Sequence, residues 1–171
     1  YSDGRSPDHV RFSTTPREDV LRRDFTINGM LLDPIAFESN PDLTNPANPA
    51  LLDLVHGRED LAAGLLRAIG EPSLRFAEDK LRMLRAVRFA ARLNLTIEPA
   101  TFAAIQRHAP EINLVSAERI RDELTRILTE GRARLGFELL DASGLLAPNL
   151  PEVVRLHGVA QPPQYHPEGD V

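Results

Sequence analysis

Two stretches of this 171-residue chain gather the side chains best suited to chemistry: Arg22-Arg23-Asp24-Phe25-Thr26-Ile27-Asn28, and Glu78-Asp79-Lys80-Leu81-Arg82-Met83-Leu84-Arg85-Ala86-Val87-Arg88-Phe89. An ionised carboxylate only accepts hydrogen bonds, and a guanidinium only donates them, through a rigid fork. Asp79 with Arg82 therefore matches a base edge that carries a donor beside an acceptor. Arg82, Arg85 and Arg88 follow at steps of three, which drift about 60° per step on a helix, so they form a winding stripe able to follow a row of phosphates. Asp24 suits a ribose 2′-hydroxyl, and Arg23 beside it suits a phosphate oxygen. Asn28 lies one helical turn beyond Asp24. The same residues also suit a solvated helix face, with ion pairs worth about 0.2–0.5 kcal/mol each, and a capped helix end. Residue type and spacing leave both readings open.

The elements that must position these side chains follow from local signals. Thr15-Pro16-Arg17-Glu18 joins a capping Thr, a Pro at the first helical position and a Glu three residues after the cap. The spacing predicts a helix from there through Arg22 and Arg23 towards Asn28, ended by Gly29. Met30-Leu31-Leu32 reads as a buried strand stopped by Asp33-Pro34, with Leu51–Leu54 as its hairpin partner. The Pro-, Asn- and Asp-rich stretch between Pro34 and Pro49 reads as a loop. Gly57 and Gly64 bracket a helical turn, and Leu65–Ile69 reads as a further strand. From Pro72 the apolar spacing turns helical in four segments: Ser73–Leu93, Pro99–His108, Ala117–Thr129 and Arg132–Ala142. On the first of these, Phe76, Met83, Leu84, Val87 and Ala91 share one face, and Arg82, Arg85, Arg88 and Arg92 lie on the other. Ser116 reads as an N-cap, and Gly144 suits a left-handed C-terminal position.

The expected fold is thus mixed, a remnant of an α/β head followed by an all-helical neck. Residues 1–71 form the first part, 72–146 the second, and 147–171 a linker. The chain is 42% hydrophobic and 26% charged, with no cysteine, which excludes a disulfide framework and thiolate metal sites and allows a reducing, cytoplasmic setting. No apolar run approaches the roughly 18 residues of a membrane span. A formal net charge of −5 excludes a generally basic nucleic-acid coat. Locally, Arg75, Lys80, Arg82, Arg85, Arg88 and Arg92 outnumber Glu78 and Asp79, which favours one defined polyanion. The five histidines lack metal-ligand spacing.

The run from Arg75 to Arg92 resembles the base-reading motif, E-D-x-x-R with two further arginines, of class II tRNA nucleotidyltransferases and bacterial poly(A) polymerases. Asp19 to Asn28 resembles the ribose-recognition motif of the same family; Gly29, where the family more often has Ala, is the one departure. The resemblance covers roughly residues 1–155. It implies nucleotide contacts by Arg23, Asp24, Asn28, Glu78, Asp79, Arg82, Arg85 and Arg88. Asp53 to Leu61, followed by Arg67, resembles the spring-like hinge between head and neck, with Asp53 and Arg67 as hinge residues; a turn capped by Asp53 and Asp60 fits those residues equally well. Ser116 to Leu124 resembles a later helical motif and is expected to be scaffold. Residues 1–7 resemble a mobile loop, and Tyr165–Glu168 the lead-in to a metal-binding HD domain.

The implied activity is transfer of CMP and AMP from CTP and ATP to a tRNA 3′ end, with Mg2+ as cofactor and RNA as partner. Poly(A) addition by the same family and a non-catalytic RNA-binding helical module are the alternatives. Such transfer uses two divalent metals held by carboxylates. The family holds them on an Asp-x-Asp strand after a Gly-rich loop, and neither pattern occurs in this sequence. By the resemblance both are expected upstream of Tyr1, and no catalytic residue is expected in the chain. Tyr1 is not an initiator residue, and the chain is read as an internal fragment that recognises nucleotides and is inactive by itself.

Overall fold

The structure, a computed structural model, describes residues 15–45, 48–159 and 164. Tyr1, upstream of which the metal-holding carboxylates are expected, lies outside the described residues. So do the loop at residues 1–7, the strand expected at Val10–Thr14 and the segment Tyr165–Glu168.

Helix α1 (Pro16–Val20) starts as its sequence predicts, with the Thr15 hydroxyl accepting the Glu18 N–H at 3.2 Å. It does not run on to Asn28. The chain leaves the helix after Val20, turns through Arg22–Asp24, and forms one 3-10 turn over Thr26–Asn28. The cause is tertiary. Val20 and Phe25 are both fully buried, and the Leu21 and Arg22 carbonyls accept from Arg75 Nη1 at 2.8 Å and Arg82 Nη2 at 2.9 Å. These donors replace the helical ones that a longer α1 would supply.

Strand β1 (Met30–Leu32) pairs antiparallel with β2 (Leu51–Asp53), Leu31 opposite Leu52, as the hairpin reading expects; β1 is only partly buried. The stretch after β1 is not loop throughout. Asp33 Oδ1 accepts the Ile35 and Ala36 N–H groups at 2.9 and 3.2 Å and starts helix α2 (Pro34–Ser39). Asp-Pro stops a strand and also opens a helix, since Pro is preorganised for the first helical position. Helix α3 (Gly57–Ala62) packs on the 3-10 turn so closely that a Cβ on Gly57 would collide with the Thr26 carbonyl.

Strand β3 (Leu65–Leu66) is shorter than expected. Next come α4 (Pro72–Glu78) and α5 (Leu81–Leu93), where one continuous helix was expected. The break falls at Asp79, whose backbone is extended (φ −147°, ψ 104°) and whose Oδ1 accepts the Leu81 N–H at 3.2 Å. An aspartate that bonds the amide two residues on competes with the helix, and here it redirects the chain. Strand β4 (Thr96–Ile97) pairs in parallel with β3 across the expected domain boundary.

Helices α6 (Pro99–His108) and α7 (Ala117–Thr129) have the predicted limits, joined by a 3-10 segment over Ala109–Leu114. Ser116 occupies the N-cap position of α7, without a side-chain cap bond. Helix α8 (Ala133–Ala142) ends at Gly144, which has φ +78°. Two short helices, α9 (Leu146–Asn149) and α10 (Pro151–Val154), follow in the region read as linker, and Leu150, Val153 and Val154 pack on the core.

One apolar core holds the described residues together. Phe25 and Leu66 from the first part join Phe76, Met83, Leu84, Val87, Ile105, Ile127 and Leu140 from the second. Position 71 is a change of secondary structure and not a gap in packing. No helix among the described residues is long and apolar enough to cross a membrane.

Candidate functional site

The break between α4 and α5 and the turn after α1 meet at a cavity of about 690 Å³. Arg22, Arg23, Asp24 and Asn28 line it from the turn, and Asp79, Leu81, Arg82, Arg85 and Phe89 from the kink and α5; Arg119 reaches it from α7. Its five arginines outnumber its two aspartates, which favours a polyanionic occupant.

Asp24 is buried, accepts three N–H hydrogen bonds and has a fourth nitrogen in ion-pair contact. Oδ1 takes the Phe25 amide and Asn28 Nδ2, both at 2.9 Å; Oδ2 takes Arg85 Nε at 2.8 Å and lies 2.7 Å from Nη2. Burial pushes this carboxyl up. The Asn28 hydrogen bond, the Arg85 charge and hydrogen bond, and the Phe25 amide outweigh that and hold it below the ordinary value. Asn28 thus closes the 3-10 turn onto Asp24. Arg23 is anchored by Asp19, at 3.1 and 2.7 Å, and by the Asn28 carbonyl at 2.7 Å. A Cβ on Gly29 would stand 2.5 Å from Val55 Cγ2, so this chain's glycine fits where an alanine would need Val55 to move.

Asp79 faces Arg119, whose Nη2 donates to Oδ1 at 3.1 Å and Oδ2 at 2.9 Å. Arg82 is fixed by Glu78 at 3.0 Å, the Arg75 carbonyl at 3.3 Å and the Arg22 carbonyl at 2.9 Å. Glu78 lies behind the wall, shared between Arg82 and Arg75 Nη2, the latter at 2.7 Å. It orients the arginine and does not line the cavity.

Arg88 departs from its predicted place. It is 5% exposed, donates to Glu123 at 2.7 Å and lies 3.4 Å from Glu130, which also faces Arg92. The wheel puts Arg88 on the solvent side of an isolated helix, but α7 packs against that side of α5. The stripe reaches the cavity only through Arg82 and Arg85. Arg88 instead lies over the Phe89 ring, 4.4 Å from its centroid, while Phe89 meets Phe25 edge to face at 6.0 Å.

Asp53 and Arg67, expected at a hinge, have separate partners. Asp53 caps α3, accepting the Gly57 and Arg58 amides at 3.0 and 2.8 Å. Arg67 bonds Asp60, both carboxylate oxygens at 3.1 Å, and lies 3.6 Å from Glu98 next to α6. Asp60 is not a cap; it is buried and accepts from Thr26 Oγ1 at 2.7 Å.

Arg119 was expected to be scaffold, yet it orients Asp79 and lines the cavity. Its signal in the sequence is a cation in the first turn of a helix, against the helix dipole. Among the described residues no group of three or more His, Asp or Glu is placed to hold a metal ion.

Residues 1–67 match the family described as the poly A polymerase head domain, and residues 94–156 the one described as a probable RNA and SrmB-binding site of polymerase A. The CCA-adding enzyme of Limosilactobacillus reuteri is 40% identical over 145 residues, 85% of this chain and 33% of that protein. The chain spans about a third of the length of the curated relatives it matches. The Bacillus stearothermophilus CCA-adding enzyme in complex with CTP superposes with a TM-score of 0.68 at 35% identity, over 78% of this chain and 31% of that one. The Thermotoga maritima CCA-adding enzyme in complex with tRNA gives 0.67 at 29%, over 81% and 32%. With the kinked Asp79–Arg82 segment and the Asp24 turn meeting at one cavity, this chain belongs to the family of class II tRNA nucleotidyltransferases, the CCA-adding enzymes, and bacterial poly(A) polymerases.

Proposed function

We propose that this chain supplies nucleotide recognition to a tRNA 3′-end nucleotidyltransferase that transfers CMP and AMP from CTP and ATP. The observation that carries the reading is the kink at Asp79. It takes a carboxylate out of a helix and places it at the same cavity as Arg82, Arg85 and Asp24. Asp79 accepts three hydrogen bonds, one from Leu81 N and two from Arg119 Nη2, so one lone-pair site of its four is left for a base amino group. Arg82 offers N–H groups to the neighbouring ring nitrogen. Asp24, which accepts three hydrogen bonds and faces Arg85 Nη2 at 2.7 Å, takes a ribose 2′-hydroxyl in place of that Nη2 contact, which turns part of the guanidinium towards phosphate. Arg23 and Asn28 hold the turn, and Arg88 acts from behind, through Phe89 and α7.

The tRNA partner is proposed from the neighbour solved with tRNA and from the RNA-binding description of residues 94–156. Mg2+ belongs to the transfer chemistry, and among the described residues no group of three or more His, Asp or Glu is placed to hold it. A cytoplasmic location fits a chain without cysteine.

Calorimetric titration of CTP and ATP into the chain tests the reading, with Asp79→Asn and Arg82→Ala as variants. Loss of a hydrogen bond made by a charged group predicts affinity at least about tenfold weaker in each. Equal affinity in parent and both variants would reduce the kink to a surface ion pair.

A further inference from the structure

Asp24 is held by more than its own neighbours. Its carbonyl accepts the Ile69 N–H at 3.0 Å, and the Thr26 N–H donates to the Arg67 carbonyl at 3.0 Å, so residues 24–26 form one edge of the segment 65–69. The other edge of that segment belongs to the neck. Glu98 N–H donates to the Leu66 carbonyl at 2.9 Å, and Ala68 N–H donates to Thr101 Oγ1 at 3.1 Å. Thr101 is wholly buried, and its hydroxyl in turn donates to Glu98 Oε2 at 2.8 Å. The other Glu98 oxygen lies 3.6 Å from Arg67 Nη1. Ala68 therefore pairs with Phe25 on one side and bonds Thr101 on the other.

Resting on the ribose-reading role proposed for Asp24, we infer that Thr101, held by Glu98, is a positioning residue for ribose recognition. A β-ladder transmits a displacement across its strands, because each backbone bond fixes the next strand's register. Thr101 is the side chain that occupies the ladder position beyond the end of β4. Its hydroxyl both accepts the Ala68 amide and donates to Glu98, which no apolar isostere reproduces. Removing it leaves a buried N–H without a partner, which the segment relieves by shifting; Asp24 shifts with it relative to Arg85 and the Asp79 kink.

The test compares CTP with dCTP on the full chain, for the parent, Thr101→Val and Thr101→Ser. The dCTP/CTP ratio of dissociation constants is the readout. Unfolded molecules bind neither nucleotide, so a loss of folded protein cancels in the ratio. The ratio is expected to favour CTP in the parent, to fall by about fivefold in Thr101→Val, as for networked positions away from a ligand, and to return in Thr101→Ser. A Thr101→Val protein that melts at lower temperature but keeps the parent ratio would make Thr101 a stability residue only and overturn the inference. A parent that shows no preference for CTP would overturn the ribose reading itself, and the positioning role with it.

Discussion

Arg85 and Arg88 lie three residues apart on one helix, in one arginine stripe, and the molecule uses them in opposite ways. Arg85 is a third exposed at the cavity and faces Asp24; Arg88 is buried between α5 and α7 and faces Glu123. The difference comes from what packs on each. Beside Arg85 the turn after α1 leaves a cavity, whereas α7 covers Arg88 and brings its own carboxylate. An arginine at a cavity can exchange its partner for a ligand. An arginine sealed with a carboxylate cannot, and its partner becomes part of the fold. A motif of regularly spaced arginines therefore contains a part open to a cavity and a clasp, and only the packing separates them.

Breaking the clasp has the largest expected effect. Glu123→Ala leaves the Arg88 charge buried without its close partner, and removing one member of a buried pair costs about 3–5 kcal/mol. For a chain of this length that is a fall of about 10 °C in Tm, read by thermal or urea unfolding. The double change Arg88→Met with Glu123→Leu recovers most of the loss, since an apolar pair of similar volume is often as stable as the ion pair. CTP affinity of Glu123→Ala, measured well below its Tm, stays near that of the parent. A mild effect on stability joined to lost CTP binding would erase the distinction between the two arginines.

Arg85→Ala has the reverse signature. Asp24 keeps the Phe25 amide and Asn28 as donors and lies beside an open cavity, so the stability loss is about 1 kcal/mol. CTP affinity falls about tenfold or more, because a charge-assisted contact to phosphate is lost. Calorimetry and unfolding on the same preparation measure both quantities.

How much of this was legible in the sequence divides along the same line. The limits of α6 and α7 and the pairing of β1 with β2 depend on local signals: Pro99 after Glu98, the apolar period, and two leucine-rich runs ended by Asp-Pro and Gly. Of the residues that line the cavity, Arg23, Asp24, Asn28, Asp79, Arg82 and Arg85 are singled out by the resemblance of their motifs, since type and spacing alone fit a solvated helix face as well, and Arg119 is not singled out. The kink at Asp79, the early end of α1 and the burial of Arg88 were not legible. The last two are decided by partners dozens of residues away, Arg75 and Arg82 for the Leu21 and Arg22 carbonyls and Glu123 for Arg88, and the kink joins the local Asp79–Leu81 bond to a distant one from Arg119. Local propensity cannot weigh a hydrogen bond to a helix that has not yet been placed. Thr96–Ile97 is β-branched but too short at two residues to read as a strand, and it pairs because β3 offers an edge.

Acid gives the smallest and most specific test of the cavity side. The Asp24 carboxyl is held below its ordinary value in the folded chain, against burial, by Asn28, Arg85 and the Phe25 amide. A carboxyl whose folded pKa is depressed contributes stability above its unfolded value, near 3.9, and loses it as pH falls through the folded value. At pH 7 Asp24→Asn should therefore be less stable than the parent by about 1 kcal/mol, the scale of one buried hydrogen bond. The gap should persist unchanged down to about pH 5 and narrow below pH 4, as the parent's own Asp24 takes up a proton. Urea unfolding of both proteins at pH 7, 5, 4 and 3 measures it. Glu98 and Glu111 are also held low and give both proteins the same acid slope, so the difference between the two curves isolates Asp24. A gap that stays constant to pH 3 would mean that the charge of Asp24 contributes nothing to the fold and that the amide is the poorer partner for reasons other than charge. Arg85 would then be free of Asp24 before any nucleotide arrives, and the proposed exchange of partners at the ribose would have nothing to exchange.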